Sequence, residues 1–484
     1  MKVHLVGVAG TGMGQLASLL EEAGHDVSGS DIAFDPPMGP ALEAAGIRCL
    51  PGWKAENITP DLDLVVIGNA IRRDNVEAVK AEELGLARTS MSGALRERFL
   101  EGKRPLVVTG THGKTTTSAM CAWVLEVGGL EPGFFIGGLP KNFHGGARLA
   151  GSKRKIIGSS AKPAPFVVEG DEYDAVFWHK KPKFLDYVGE APSDATVIVT
   201  SVEHDHIDIY PSAEVYEAQF VELVRRIGEQ GLIVCDAHDA RAREIVSKHA
   251  RCRTSFYALD GDDTGDVTPT WLGAMVPADP DSGAQPFDLF LGGSAGGRLA
   301  LKVPGAHNVR NALGALAACA EGFGVDIEKA RAALMSFEGV RRRQDLIGAP
   351  RGISVYDDFA HHPTAVDETL RALKSRHPKG ELWAVFEPRS ATACRNLHQA
   401  EYETAFGAAD HVLFAPLGRT NIPESERLDV AKIASAIGPR AVAAASVDAI
   451  LDTLTKGAKP GDTIALLSNG AFGGIHQKLL TALQ

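Results

Sequence analysis

The 484-residue chain has no apolar run long enough to cross a bilayer and none resembling a secretory leader. Its six cysteines, Cys49, Cys121, Cys235, Cys252, Cys319 and Cys394, are scattered without close pairs. That excludes a disulfide framework and a cysteine-based zinc site, and it fits a reducing compartment. Basic residues are not in excess either. The 50 Lys and Arg stand against 61 Asp and Glu, for a net charge of −11. Nucleic-acid binding needs a basic face, so it is excluded as the main function, while a local basic pocket for an anionic ligand remains open. The expectation is a soluble cytoplasmic protein, monomeric or weakly dimeric, with no nucleic-acid or membrane partner. Its length suggests about three domains.

What the chain does have is one stretch that organises the rest, PLVVTGTHGKTTT over residues 105–117. Leu106 to Thr109 reads as a buried strand, Gly110 to Lys114 as a tight turn, and Thr115 to Val127 as a helix. Met120, Trp123, Val124 and Val127 fall on one face of that helix, and Gly128 and Gly129 stop it. A strand, a glycine-rich turn and a helix together wrap a phosphate. Turn amides and the helix N-terminus supply partial positive charge, and Lys114 supplies a full one. Thr115 can place its hydroxyl on a Mg²⁺ bound to the same phosphates. The common P-loop needs a glycine where this chain has Val108; here the first glycine, Gly110, comes two positions later.

Residues 1–103 read as a first α/β unit. The strand Lys2 to Val6 enters a turn with glycines at 7, 10, 12 and 14. A helix, Gln15 to Ala23, and a second strand, Val27 to Ser30, lead to Asp31. This is a nucleotide-binding βαβ pattern, yet the glycines depart from the strict dinucleotide fingerprint. A diphosphate fits the helix N-terminus, whether it belongs to NAD or to a UDP-sugar. A third strand, Leu64 to Gly68, leads into Asn69.

Residues 104–340 form the central unit. Residues 151–165 read as a surface loop. The strand from Phe166 runs into Glu169, Asp171, Glu172 and Asp174, where strand ends face the ligand crevice. A metal ligand or water-orienting group belongs there, and Glu169 and Glu172 are both candidates. Another strand, Ala195 to Ser201, runs into Glu203, His204, Asp205, His206 and Asp208, a set suited to Mg²⁺ or Mn²⁺ but without zinc spacing. Residues 260–285 read as loop, and Phe287 to Val303 as a hairpin. Asn308 and Asn311 lie one turn apart on an Ala-rich helix. An Asn amide can read an adenine edge, and N-capping explains Asn308 equally well. Arg341, Arg342 and Arg343 close the unit; they can reach a phosphate or form a solvated run.

Residues 341–484 alternate strands and helices again, as a second Rossmann-like unit. Strands at Ile353 to Tyr356, Leu382 to Phe386, His411 to Phe414 and Thr463 to Leu467 put Asp358, His361, His362, Arg389, Ser468 and Asn469 near a ligand edge.

Taken together these pieces resemble the Mur ligases, ATP-dependent amide-bond formers of peptidoglycan synthesis. The resemblance covers the whole chain in order. Residues 110–116 (GTHGKTT) look like the family's own phosphate loop, residues 205–208 (DHID) like its Asp-His-x-Asp motif, and residues 307–311 (HNVRN) like its His-Asn-x-x-Asn. Residues 356–363 (YDDFAHHP) are similar to the muramate–alanine branch. The fold implied is α/β with three domains: a UDP-sugar-binding Rossmann-like domain, a central P-loop ATPase-type domain, and a Rossmann-like peptide-binding domain.

The resemblance also implies roles. Gly110, Thr111, His112, Gly113, Lys114, Thr115 and Thr116 would hold ATP, with Asn308 and Asn311 near adenine, Arg343 on the γ-phosphate and Asp358 near ribose or phosphate. Thr115, Glu169 and His206 would hold Mg²⁺ or Mn²⁺. Gly7, Gly10, Thr11, Gly12, Ser30, Asp31 and Asn69 would serve the UDP-sugar, and Arg389, Ser468 and Asn469 the peptide. Lys114, Glu169 and His206 would be catalytic, with the base left open between His361 and His362. Some members carry a carbamylated lysine downstream of His206, but residues 215–223 contain no lysine, which is the pattern of the alanine-adding branch and its relatives. Residues 137–143, the acidic run with Lys180, Lys181 and Lys183 after it, and residues 468–474 look instead like the branch that takes a tripeptide, L-alanyl-γ-D-glutamyl-meso-diaminopimelate. L-Alanine is the alternative amine substrate. An NAD-dependent dehydrogenase is the distant alternative, and it leaves Lys114 and Thr115 unexplained.

Overall fold

The computed structural model describes residues 1–35, 38–151, 162–278, 283–419 and 421–484. Most of the loop expected over 151–165 lies outside them. The first sheet has five parallel strands in the order Arg48–Pro51, Asp26–Asp31, Lys2–Val6, Leu64–Ile67, Arg88–Ser90. The first strand is central, with Val6 level with Ser30 on one side and Ile67 on the other. Chain order reverses there, which opens a crevice at the strand ends beside Gly7 and Gly68. The glycine-rich turn packs down on the second strand: a Cβ added at Gly29 would lie 2.6 Å from Val8 Cβ.

The second sheet has ten strands. Arg104–Thr109 runs parallel between Thr196–Val199 and Pro165–Glu169. The sheet then extends through Leu232–Asp236, Arg253–Leu259 and Trp271–Met275 to the antiparallel pair Gln285–Leu291 and Ser294–Leu301. That pair is the expected hairpin. The loop expected over 260–285 is partly wrong, because Trp271–Met275 is a strand and Trp271 is 5% exposed. One large aromatic seated in the core outweighs the Gly- and Pro-rich flanks.

The helix after the phosphate loop spans Lys114–Val127. Met120 and Val124 are buried as expected, but Val127 is 36% exposed and Trp123 only half-buried. Ala119, Cys121, Ala122 and Leu125 are buried as well, so the helix is enclosed on most sides. It lies against its own sheet and the helices Ala306–Ala317 and Ile327–Ser336. Small residues allow that close approach.

The third sheet has six strands, ordered Asp345–Gly348, Ser354–Asp358, Thr463–Leu467, Leu382–Phe386, His411–Phe414, Ala441–Ala443. Only its first edge is antiparallel. The last strand of the chain inserts between the two oldest parallel strands, so Asp358, Ser468 and Glu387 come together at one edge. Among the described residues no helix is long and apolar enough to cross a membrane. Gly29→Ala is expected to push the first turn off its strand at a cost of about 1–3 kcal/mol. A urea melt of the full chain would read this as a lower midpoint.

Candidate active site

The phosphate loop hangs from the neighbouring strand end. Gly110 leaves its strand at φ +127°, where a Cβ would sit 2.2 Å from Thr200 Oγ1 and 2.7 Å from Ser201 N. The Thr111 N–H donates to Ser201 O (3.0 Å) and the His112 N–H to Ser201 Oγ (3.0 Å). Thr200 Oγ1 donates to Thr109 O or His112 O, at 3.1 and 2.5 Å. These two amides are therefore spent inside the protein. The amides that remain for an anion are those at the start of the helix Lys114–Val127, which no side chain caps. Gly113 is left-handed (φ +79°), and a Cβ there would lie 2.5 Å from Asn311 Oδ1.

Lys114 Nζ donates to Gly110 O (2.6 Å), Thr111 O (3.1 Å) and Glu172 Oε1 (2.8 Å). Burial works to lower its pKa, but the Glu172 carboxylate outweighs that and holds the ammonium protonated. Glu172 is 1% exposed, and burial pushes its own carboxyl up. Its Oε2 has no hydrogen-bond partner and lies 3.8 Å from His206 Nε2.

The other acids of this run do different work. Glu169 Oε1 accepts from Thr115 Oγ1 (2.8 Å) and its Oε2 from the Gly137 N–H (2.7 Å). Arg343 Nη2 reaches the same Thr115 hydroxyl at 3.3 Å. Asp171 pairs with Lys183 Nζ at 2.7 Å; burial would raise its carboxyl, yet Lys183 holds it at about 2. Asp174 lies 3.8 Å from the exposed Lys180, on an outer hairpin. The structure thus assigns Glu169 to Thr115 and Glu172 to His206. Thr115, Glu169 and His206 do not converge as one contact set. His206 itself has a left-handed backbone (φ +55°), and its N–H donates to Asp205 Oδ1 at 2.7 Å.

The two third-domain histidines diverge. His361 Nδ1 donates to Phe359 O (3.0 Å), which fixes its tautomer and leaves a lone pair on Nε2. Burial lowers its pKa, opposed by Asp205. His362 turns the other way, with its ring 4.8 Å from His112 and burial pushing its pKa to about 3.

Several expected ligand residues are committed elsewhere. Ser30 is fully buried and donates to Glu77, beside His4, rather than facing a ligand. Ser468 is also fully buried; its hydroxyl donates to Glu387 Oε2 (2.5 Å) and accepts from the Gly470 N–H. Both Asp358 oxygens accept backbone amides, from Gln344 and Ala360, so this carboxylate shapes the interdomain turn. Asn308 donates to Pro304 O and Asn311 to Asn308 Oδ1, which seats Asn311 under Gly113 instead of leaving a free edge. In each case, burial at a strand or helix end demanded an internal partner. Arg389 stays 44% exposed, 3.5 Å from Glu387, and Asn469 Oδ1 has no partner.

A cavity of about 480 Å³ runs along the first crevice as far as the acidic run of the second sheet. Gly7, Gly10, Thr11, Gly12, Asp31 and Asn69 line one end, and Glu169, Asp171 and Lys183 the other. Trp53, Ile32, Ile71, Met91, Phe135 and Tyr187 supply its apolar walls, and the sequence pattern did not signal them. Asp31 Oδ2 accepts the Ala9 N–H at 2.9 Å, holding the turn in shape.

Three family descriptions match the chain. They are the Mur ligase family catalytic domain over residues 2–101, the Mur ligase middle domain over 186–319, and the Mur ligase glutamate ligase domain over 342–470. The UDP-N-acetylmuramate–L-alanyl-γ-D-glutamyl-meso-2,6-diaminoheptandioate ligase of Escherichia coli is 38% identical over 100% of this chain and 98% of its own. A UDP-N-acetylmuramate–L-alanine ligase of Roseiflexus castenholzii is 34% identical, covering 100% and 98%. The crystal structure of a murein peptide ligase from Psychrobacter arcticus superposes with a TM-score of 0.72 at 34% identity, covering 100% of this chain and 98% of that one.

Lys114→Met should destabilise the protein by about 3–5 kcal/mol, because Glu172 is left buried and unpaired. Adding Glu172→Gln should recover much of that, a coupling that chemical denaturation of both single variants and the double would read. The Asp171–Lys183 pair acts in acid. A depressed carboxylate contributes above its ordinary pKa near 4 and loses the contribution as pH falls towards about 2. The difference in melting temperature between wild type and Lys183→Met should shrink across that window.

Proposed function

The chain belongs to the Mur ligase family, and on that premise we propose that it joins UDP-N-acetylmuramate to L-alanyl-γ-D-glutamyl-meso-diaminopimelate at the expense of ATP. The observation that carries this reading is the continuous cavity from the glycine turn at Gly7 to Glu169, which itself touches Thr115 of the phosphate loop. A UDP-sugar lying along it, diphosphate at Gly10–Gly12, brings its lactyl carboxylate to the loop where ATP is held. Trp53 and Ile32 offer apolar surface beside the turn, and Lys183 a cation along the way.

The chemistry follows from making an amide in water. The lactyl carboxylate attacks the γ-phosphorus of ATP and ADP leaves, giving an acyl phosphate; the peptide amine adds to its carbonyl, and phosphate leaves from the tetrahedral intermediate. Lys114 and the free amides of its helix hold the terminal phosphate, and Arg343 approaches it beside Thr115. Two separate places fit Mg²⁺ or Mn²⁺: the hard oxygen donors Thr115 and Glu169, and the unpartnered Glu172 Oε2 facing His206. Ions held there would screen the repulsion between carboxylate and phosphate. His361 Nε2, with its other nitrogen tied to Phe359, accepts the proton from the attacking amine. Arg389 and Asn469 at the third sheet's edge meet the peptide's carboxylates. This cation favours the tripeptide over alanine.

The test is phosphate release with ATP, UDP-N-acetylmuramate and either amine. The tripeptide is expected to give a kcat/KM at least about tenfold higher than L-alanine. Equal or greater turnover with L-alanine would overturn the tripeptide assignment. His361→Asn should lower kcat by about 10²–10⁴-fold while ATP binding persists.

A further inference from the structure

Three side chains to which the proposed reaction gives no role meet at the seam between the phosphate loop and the third domain. His112 comes from the loop, Glu203 from the end of the strand Thr196–Val199, and His362 from the turn before the helix Pro363–Arg376. One ligand atom from each lies within 4.8 Å of the others. We propose that His112, Glu203 and His362 form a binding site for a borderline divalent transition metal of the zinc class, clasping the third domain onto the phosphate loop.

The distances suit such an ion. His112 Nε2 is 2.8 Å from Glu203 Oε2, and His362 Nδ1 is 3.8 Å from the same oxygen. Donors around a tetrahedral ion at about 2.1 Å stand roughly 3.4 Å apart, between these two values. The donor set is two imidazoles and one carboxylate, with a fourth position open. That composition selects zinc or cobalt over magnesium and calcium, which prefer oxygen alone.

A second observation points to a ligand. His362 is 4% exposed, and neither of its ring nitrogens has a hydrogen-bond partner. A neutral imidazole always carries one lone pair, and a buried one without a partner is a coordination site in waiting. His398 closes the far side edge-on at 4.6 Å, and its Nε2 is likewise unpartnered. The orienting contacts also exist. Thr364 Oγ1 lies 3.0 and 3.1 Å from the two Glu203 oxygens and can donate to either, holding the carboxylate in place. Glu203 is 39% exposed, so an ion can enter from solvent at that edge. Neither the UDP-sugar reading nor the amine substrate enters into this assignment.

The test is titration of the full-length, metal-stripped protein with CoCl₂, in the presence of excess Mg²⁺–ADP to fill the nucleotide-site positions. One equivalent should produce the intense visible bands of four-coordinate Co²⁺, and ZnCl₂ should bleach them. Glu203→Gln and His362→Gln should each lose the bands, while Glu169→Gln should keep them. Circular dichroism confirms that each variant is folded, and a Zn²⁺-induced rise in melting temperature should occur in wild type but not in Glu203→Gln. Only weak six-coordinate absorption, or intense bands that survive Glu203→Gln, would overturn the proposal.

Discussion

A single buried charge pair, Lys114 with Glu172, sets the arrangement around it. An ammonium cannot stay charged in that interior without a carboxylate, and a carboxylate 1% exposed cannot stay there without a cation. Each therefore fixes the position of the other. The pair binds the loop after one strand to the acidic run after the next. Tyr210 donates to Glu172 O and Tyr216 approaches its carboxylate, which brings in the segment carrying His206. Lys114 also donates to two loop carbonyls, so the loop holds a phosphate-ready shape with its own lysine as template.

That preorganisation explains a division of labour among the loop amides. Those of Thr111 and His112 are spent on Ser201 and keep the loop rigid. Those at the head of the helix stay free for an anion. Binding then costs little ordering, because the backbone is already in place. The glycine at 110 serves the same end. Its backbone angle and the closeness of Thr200 leave no room for a side chain.

Much of this was legible in the sequence. Central strands announce themselves as short apolar runs ending in a glycine or a polar residue, and those at residues 106, 166, 196, 382 and 463 were read within a few positions of where they lie. The shortest edge strands were not: Arg48–Pro51, Arg88–Ser90 and Ala441–Ala443 are three or four residues long and half-exposed, with no pattern to show. The candidate site was read from polar residues at strand ends, and there the errors share one cause. Ser30, Ser468 and Asp358 stand in the right places, yet each is buried and had to find an internal partner. A sequence shows where a polar group sits along a strand but not which neighbour claims it. Trp53 carried no such signal, for the converse reason. It reaches the cavity from a loop whose path only the tertiary structure defines.

The linker between the second and third sheets carries a further consequence. The Arg341 N–H bonds to Leu139 O on the side of the second sheet, while Arg342 O accepts from Phe359 on the side of the third. The Arg342 side chain continues that allegiance, donating to Ser468 O and Gly470 O, whereas Arg343 reaches back to Thr115. Ownership of the chain changes within one peptide unit, at a residue already in the left-handed region (φ +60°). Any swing of the third domain is therefore geared rather than free. It must turn about this short axle, and each degree of rotation pulls on an arginine that touches the Thr115 hydroxyl at the head of the loop helix.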